Sequence, residues 1–343
     1  MAEITLSPCF LRKIETERKR PVKKRCCVLL LLCILLFTAC GRPSGAAQEP
    51  ETEETAETVS ETEVTFTDDL GRVVTADRPE RVACLIASFA DIWYLAGGVE
   101  QIVATTNATW TYFDLPLRED IVNLGATKEL NLEELIACNP DFILASCGTD
   151  RNRELESVFD EMGFPVAYFD VNTFEDYLRM LKVCTEITGF SENYKIYGSD
   201  VEKQVKEAVA RADGSRPAVL YIRATGKNCK VKGSEGSVLG EMLANLDCEN
   251  IADRENSLLE QLSMEAILQN DPDYIFVVLQ SADPADAQKV LESTLLHNPA
   301  WNTLTAVRQG RYYVMDSNLY NLKPNNRWGE AYAQLADILY PAQ

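Results

Sequence analysis

Short apolar runs alternate along this chain with segments in which apolar residues return every three or four positions. The runs at 81–87, 102–105, 142–145 and 166–169 read as buried strands, and 88–97 and 151–162 as helices between them. Residues 64–74 alternate apolar and polar positions on either side of Asp-Leu-Gly, which predicts a hairpin. Two helical segments follow at 174–188 and 191–212. The second is dense in charge (Glu192, Lys195, Asp200, Glu202, Lys203, Lys206, Glu207, Arg211), as a stiff, solvated rod would be. The alternation then restarts with a strand at 216–222, a helix at 237–245, a strand ending near Leu279, a helix at 285–293, a short strand at 312–314 and a terminal amphipathic helix at 326–339. Strands alternating with helices imply mostly parallel sheets covered on both faces. Two such series flanking a rod predict an α/β protein of two doubly wound, Rossmann-like lobes, joined by a long rigid helix with a ligand cleft between them.

One stretch occurs twice. Residues 131–144 read Asn-Leu-Glu-Glu-Leu-Ile-Ala-Cys-Asn-Pro-Asp-Phe-Ile-Leu, and 263–276 read Ser-Met-Glu-Ala-Ile-Leu-Gln-Asn-Asp-Pro-Asp-Tyr-Ile-Phe. Glu133 matches Glu265, Pro140 matches Pro272 and Asp141 matches Asp273, all at one constant separation. In each copy a capping residue (Asn131, Ser263) opens a short helix, Pro-Asp closes it, and an apolar run enters a strand. Generic helix-to-strand corners would share some of these signals, but the common spacing favours an internal duplication. Glu133 and Glu265 fall in the first helical turn, where the helix dipole favours a negative side chain facing solvent. Glu134 has no counterpart in the second copy, where Ala266 stands, and its spacing from Asn131 predicts a capping box.

The amino-terminal region follows other rules. Residues 18–25 are Arg-Lys-Arg-Pro-Val-Lys-Lys-Arg, and an unbroken apolar run extends from Cys26 to Phe37. Twelve apolar residues suit a signal-peptide core better than a membrane span. Thr38, Ala39, Cys40 and Gly41 then resemble a bacterial lipobox, with Phe37 where that motif prefers leucine and Cys40 as the lipidated residue. An uncleaved anchor is the alternative, and either places the remainder outside the cytoplasm. Residues 41–63 are rich in Glu, Thr, Ala and Pro and read as a flexible acidic tether. The expected organisation is a signal peptide at 1–40, the tether at 41–63, one lobe at 64–190, the spine helix at 191–212 and a second lobe at 213–343.

Composition narrows the chemistry. A formal net charge of −20 over 343 residues speaks against nucleic-acid binding. The single histidine, His297, disfavours a His-rich metal site and leaves little for a catalytic triad. Of eleven cysteines, five lie at or before Cys40, and the other six show no C-x-x-C spacing. Cys229 and Cys248 flank a loop and are left open as a pair. Neither a P-loop nor a dinucleotide fingerprint is present, nor a nucleophile–base motif, so no cofactor and no enzymatic activity are expected.

Together, the lipobox, tether, paired lobes and rod resemble the substrate-binding lipoproteins of ABC importers. The nearest group is the ferric-siderophore and vitamin B12 binding class, the class III periplasmic binding proteins. Asp-Asp-Leu-Gly-Arg (68–72), Pro-Glu-Arg-Val (79–82), the two Glu-to-Pro-Asp copies and Pro-Asn-Asn-Arg-Trp (324–328) carry the resemblance over residues 64–341. It implies a metal chelate held between the lobes and delivered to a permease with its ATPase. It also implies that Glu133 and Glu265 contact permease arginines. In parallel sheets ligands sit beyond the carboxyl ends of the strands. This placement nominates Ser88, Phe89, Trp110, Tyr112, Ser146 and Thr149 in the first lobe, and Arg223, Lys227, Gln280, Tyr320 and Arg327 in the second. Aromatic and cationic groups together suit an anionic ferric siderophore best. A corrinoid needs fewer cations, and haem would look to Tyr112 or Tyr320 for a ligand. An extracytoplasmic enzyme acting on a chelate is the rival class.

Overall fold

The hairpin forms where the alternation places it, from β1 (Glu63–Thr67) and β2 (Val73–Asp77), paired antiparallel. The computed structural model describes residues 63–281 and 283–341, which belong to one compact unit. Cys40, the basic and apolar segments before it and the tether lie outside the described residues, save Glu63, which opens β1. Asp68 organises the hairpin turn. One of its carboxylate oxygens accepts from the Leu70 and Arg72 amides, and the other from the Arg72 guanidinium and the Tyr168 amide. Burial acts to raise this carboxyl, but Arg72 and the amides prevail and hold it below its ordinary range.

The first sheet contains β3 (Val82–Cys84), α1 (Ala87–Leu95), β4 (Ile102–Thr105), α2 (Ala108–Tyr112), β5 (Val122–Asn123), α3 (Leu132–Ala137), β6 (Phe142–Ser146), α4 (Asp150–Glu154), α5 (Glu156–Met162) and β7 (Val166–Phe169) as strands and connections in turn. Its strands run parallel in the order β5-β4-β3-β6-β7. The single helix expected at 151–162 is instead two, meeting at Leu155. The Tyr168 hydroxyl donates to the Asn152 carbonyl, which gives that carbonyl a partner outside the helix at the break.

A capping box of Thr173 and Asp176 starts α6 (Phe174–Thr188), and Gly189 ends it in the left-handed region. The rod follows: α7 (Ser191–Tyr194) passes through a π turn at Lys195–Ser199 into α8 (Asp200–Val209). At 1.5 Å per residue it spans about 28 Å.

The second lobe comprises β8 (Ala218–Thr225), β9 (Cys229–Lys232), α9 (Val238–Asn245), β10 (Glu249–Asn250), α10 (Ile251–Arg254), α11 (Ser257–Glu260), α12 (Met264–Asn270), β11 (Tyr274–Gln280), α13 (Pro284–Leu291), α14 (Thr305–Arg308), β12 (Tyr312–Met315), α15 (Ser317–Tyr320) and α16 (Trp328–Leu339). The order β10-β8-β11-β12 is parallel, with β9 folded back antiparallel on the free end of β8.

The two repeat copies do the same work. Asn139 and Asp271, each before its proline, both adopt positive φ (45° and 35°). The Asp141 carboxylate accepts from the Glu80 and Arg81 amides at the entry to β3, and the Asp273 carboxylate from the Ala218 amide at the entry to β8. Each aspartate thereby pins the strand it opens against the central strand of its sheet. One expectation fails here. The Asn131 side chain accepts from the Glu133 and Glu134 amides, but its own amide donates to the Leu124 carbonyl, so Glu134 completes no capping box.

Each lobe has its own outer core, with Leu135, Ile143 and Phe159 in the first and Ile222, Ile267 and Trp301 in the second. The opposite faces of both sheets feed a third core common to the two lobes. Phe174 and Trp328 meet in it with ring centroids 5.8 Å apart. The six described cysteines are free; Cys229 belongs to the outer core of lobe two and Cys248 packs on the shared one, so the two do not pair. Among the described residues no helix is long and apolar enough to cross a membrane.

Candidate ligand cleft between the lobes

The carboxyl ends of the first sheet meet the segment that follows β12. Ile86, Ser88, Tyr112 and Thr127 of lobe one line a cavity of about 160 Å³ together with Asn321, Leu322 and Lys323 of lobe two. A neighbouring cavity of about 200 Å³ adds Asp91, Asp114, Asn318 and Arg327. A third, of about 480 Å³, shares Thr127 and extends past Thr149 to Arg151 and Glu154. A further groove of about 290 Å³ between α8 and α16 lies on the rod, away from the strand ends.

One residue fastens the lobes beneath these cavities. Asn325 is fully buried with φ of 50°, a conformation asparagine tolerates better than most residues. Its Nδ2 donates to the Ser88 carbonyl at 3.0 Å and to Asp91 Oδ2 at 2.7 Å, while Oδ1 has no partner among the described residues. Burial pushes the Asp91 carboxyl up to about 6, with the Asn325 bond pulling the other way. Lys323 is half-buried, and burial pulls its ammonium down, against the more distant charges of Asp170 and Asp176.

The nominated residues separate into groups. Ser88, Tyr112 and Arg327 line the interlobe cavities and Thr149 the adjoining one. Trp110 stands 46% exposed on α2, two residues from Tyr112. Ser146 is buried at the end of β6, close under Gly148 and Asp170. Arg223, Lys227 and Gln280 occupy the carboxyl end of the second sheet but line none of the cavities above. Arg223 lies opposite Lys230 in the β8–β9 ladder, and Lys232 is pushed down by burial and by these two cations. No carboxylate of the described residues pairs with any of the three. Two nominations are corrected. Phe89 is fully buried edge-on to Phe169, and Tyr320 is 1% exposed with its hydroxyl donating to the Ala331 carbonyl, so both are core. Arg327 is already engaged by Glu330 through two hydrogen bonds of 2.8 and 2.9 Å. Lys323 and Asn325 escaped the sequence reading because the loop after a short final strand shows no periodicity; the adjacent Pro-Asn-Asn-Arg-Trp was the available signal.

Glu133 and Glu265 are both exposed. Among the described residues no group of three or more His, Cys, Asp or Glu side chains is placed to hold a metal ion. The cleft brings aromatic, hydroxyl and cationic side chains together in a setting that can bind and orient a ligand.

Comparison with known proteins agrees with this geometry. The family described as "Periplasmic binding protein" matches residues 82–319. The chain belongs to that family. This periplasmic binding protein is 22% identical over 321 residues to YhfQ of Bacillus subtilis, named as an ABC transporter substrate-binding lipoprotein, covering 88% of this chain and 93% of the relative. It is 23% identical over 299 residues to the Fe(3+)-citrate-binding protein YfmC of the same organism, covering 85% and 90%. The periplasmic heme-binding protein RhuT from Roseiflexus sp. RS-1, in apo form, superposes with a TM-score of 0.63 at 19% identity, covering 76% of this chain and 98% of that one. The fold is therefore that of the two-lobed binding proteins, as the alternating pattern implies.

Proposed function

We propose that this protein is the lipid-anchored, extracytoplasmic solute-binding component of an ABC importer, capturing an iron-siderophore-type chelate and passing it to a permease. The observation that carries the reading is the interlobe cleft itself: strand ends of one lobe and the post-β12 segment of the other converge on cavities lined by Tyr112, Ser88, Lys323 and Arg327. The names of the relatives support the importer class and an iron chelate. Cys40 is the proposed lipid attachment, and Glu133 and Glu265 the permease contacts, one from each lobe at matched positions. The protein acts by binding alone, without altering its cargo. Haem is the less suitable cargo, because Tyr320 is spent in the core and only Tyr112 of the two nominated tyrosines faces the cleft.

Trp110 is the one exposed tryptophan, since Trp93, Trp301 and Trp328 are buried. Titrating the protein with ferric siderophores, cobinamide and haem should give saturable quenching with a ferric chelate, and Trp110→Phe should remove most of it. No saturable signal with any of them would sink the proposal. The Glu133→Ala, Glu265→Ala double variant should bind cargo as the parent does while uptake in cells is lost; normal uptake would end the assigned role of the glutamates.

A further inference from the structure

Lys323 lies where a lysine is expensive. It sits on the floor between the lobes and lines both interlobe cavities. Most lysines of the rod and helices pair with a neighbouring carboxylate, as Lys206 does with Glu202 at 2.6 Å and Lys289 with Asp286 at 3.1 Å. Among the described residues Lys323 has no hydrogen bond and no ion pair. The carboxylates that act on it at longer range are spoken for: Asp170 Oδ1 accepts from Asn172 Nδ2 at 2.7 Å, and Asp176 caps α6 and pairs with Arg179. A half-buried ammonium without a direct partner among the described residues carries a desolvation cost that the distant carboxylates offset only in part. Its surroundings are those of a contact point: the Tyr112 ring, 39% exposed, and Ser88 share the same cavity.

We propose that Lys323 is the specificity-determining contact for an anionic oxygen group of the cargo, so that the cleft selects chelates carrying an exposed carboxylate or other oxyanion over neutral ones. This rests on the cleft being the chelate site. A bound oxyanion supplies the direct partner that the folded chain lacks among the described residues, through a charge-assisted hydrogen bond. A lysine serving only to hold the lobes together would behave differently, because its loss would weaken the fold and leave selectivity unchanged.

The test uses the full chain in detergent, with Trp110 fluorescence as readout and two probes: ferric citrate, an anionic carboxylate chelate, and a neutral ferric trihydroxamate. The parent should prefer the anionic chelate. Lys323→Met should weaken it by about tenfold or more, the worth of one hydrogen bond to a charged group, and leave the neutral chelate nearly unaffected. Its melting temperature should equal or exceed that of the parent. Lys323→Arg, which keeps the charge, should keep the order of preference. Unchanged affinity of the methionine variant for ferric citrate, equal loss for both probes, a lowered melting temperature, or loss of preference in the arginine variant would each overturn the assignment while leaving the cleft as the binding site. A parent that binds neither probe would remove the cleft reading, and this assignment with it.

Discussion

Asp91 shows how much a single buried carboxyl can govern. Its pKa is lifted to about 6, so between about pH 4 and 6 the folded chain holds a proton that the unfolded chain has released. Stability therefore falls as pH rises through that window, by on the order of 3 kcal/mol, and the cost is complete above pH 6. Asp91→Asn retains an acceptor for Asn325 Nδ2 and removes the charge. Urea denaturation should find it more stable than the parent at pH 7.5, with the gain shrinking to nothing near pH 4. A gain that persists at pH 4 would contradict the account. The same scale explains two misplacements. Ser88 and Phe89 are neighbours in sequence, but α1 begins at Ala87, so successive side chains diverge around the helix and only Ser88 reaches the cleft. Tyr320 ends α15 and is folded down onto α16, a contact between two elements that no local pattern announces.

Among the elements, the duplicated corner is the most instructive. Asn131 caps α3 through two amides, whereas Glu134 makes no return bond. Asn131→Ala should cost about 1 kcal/mol, and Glu134→Ala should stay within about 0.5 kcal/mol of the parent in thermal unfolding. Equal losses would restore the reciprocal cap. The longer strands and helices of the described residues were legible, because buried parallel strands are continuous apolar runs and helices carry their own period. What escaped were the short elements, β5, β9 and β10 and the helices α2, α10, α11, α14 and α15, each of five residues or fewer and too brief to show a period; β9 carries Lys230 and Lys232 as well as its apolar residues because only one of its faces is buried. The motifs behind the family resemblance were legible as motifs but not as causes. Asp68 and Asp141 are backbone-pinning carboxylates, and Asn325 is a clasp between lobes, all consequences of contacts remote in sequence.

At the scale of the molecule, the shared core decides how the lobes behave. Phe174 brings lobe one to Trp328 of lobe two, and Tyr177 donates to the Tyr197 carbonyl in the rod. Arg211 in turn reaches Asp337 and the Tyr340 carbonyl at the far end of α16. Gly329 lets α8 approach so closely that a Cβ there would fall 2.6 Å from the Cβ of Gln204. With an apolar core common to both halves, denaturation should be a single transition, in which tryptophan fluorescence and far-ultraviolet circular dichroism coincide. Two separated midpoints would show that the lobes unfold independently.

The Asn325 clasp has a wider consequence. A receptor whose halves are bolted together beneath the cargo has little freedom to announce its load by swinging shut. A transporter meeting it would have to sense occupancy by touch, through the cargo's own exposed surface framed by the rim, so that the passenger becomes part of the docking face.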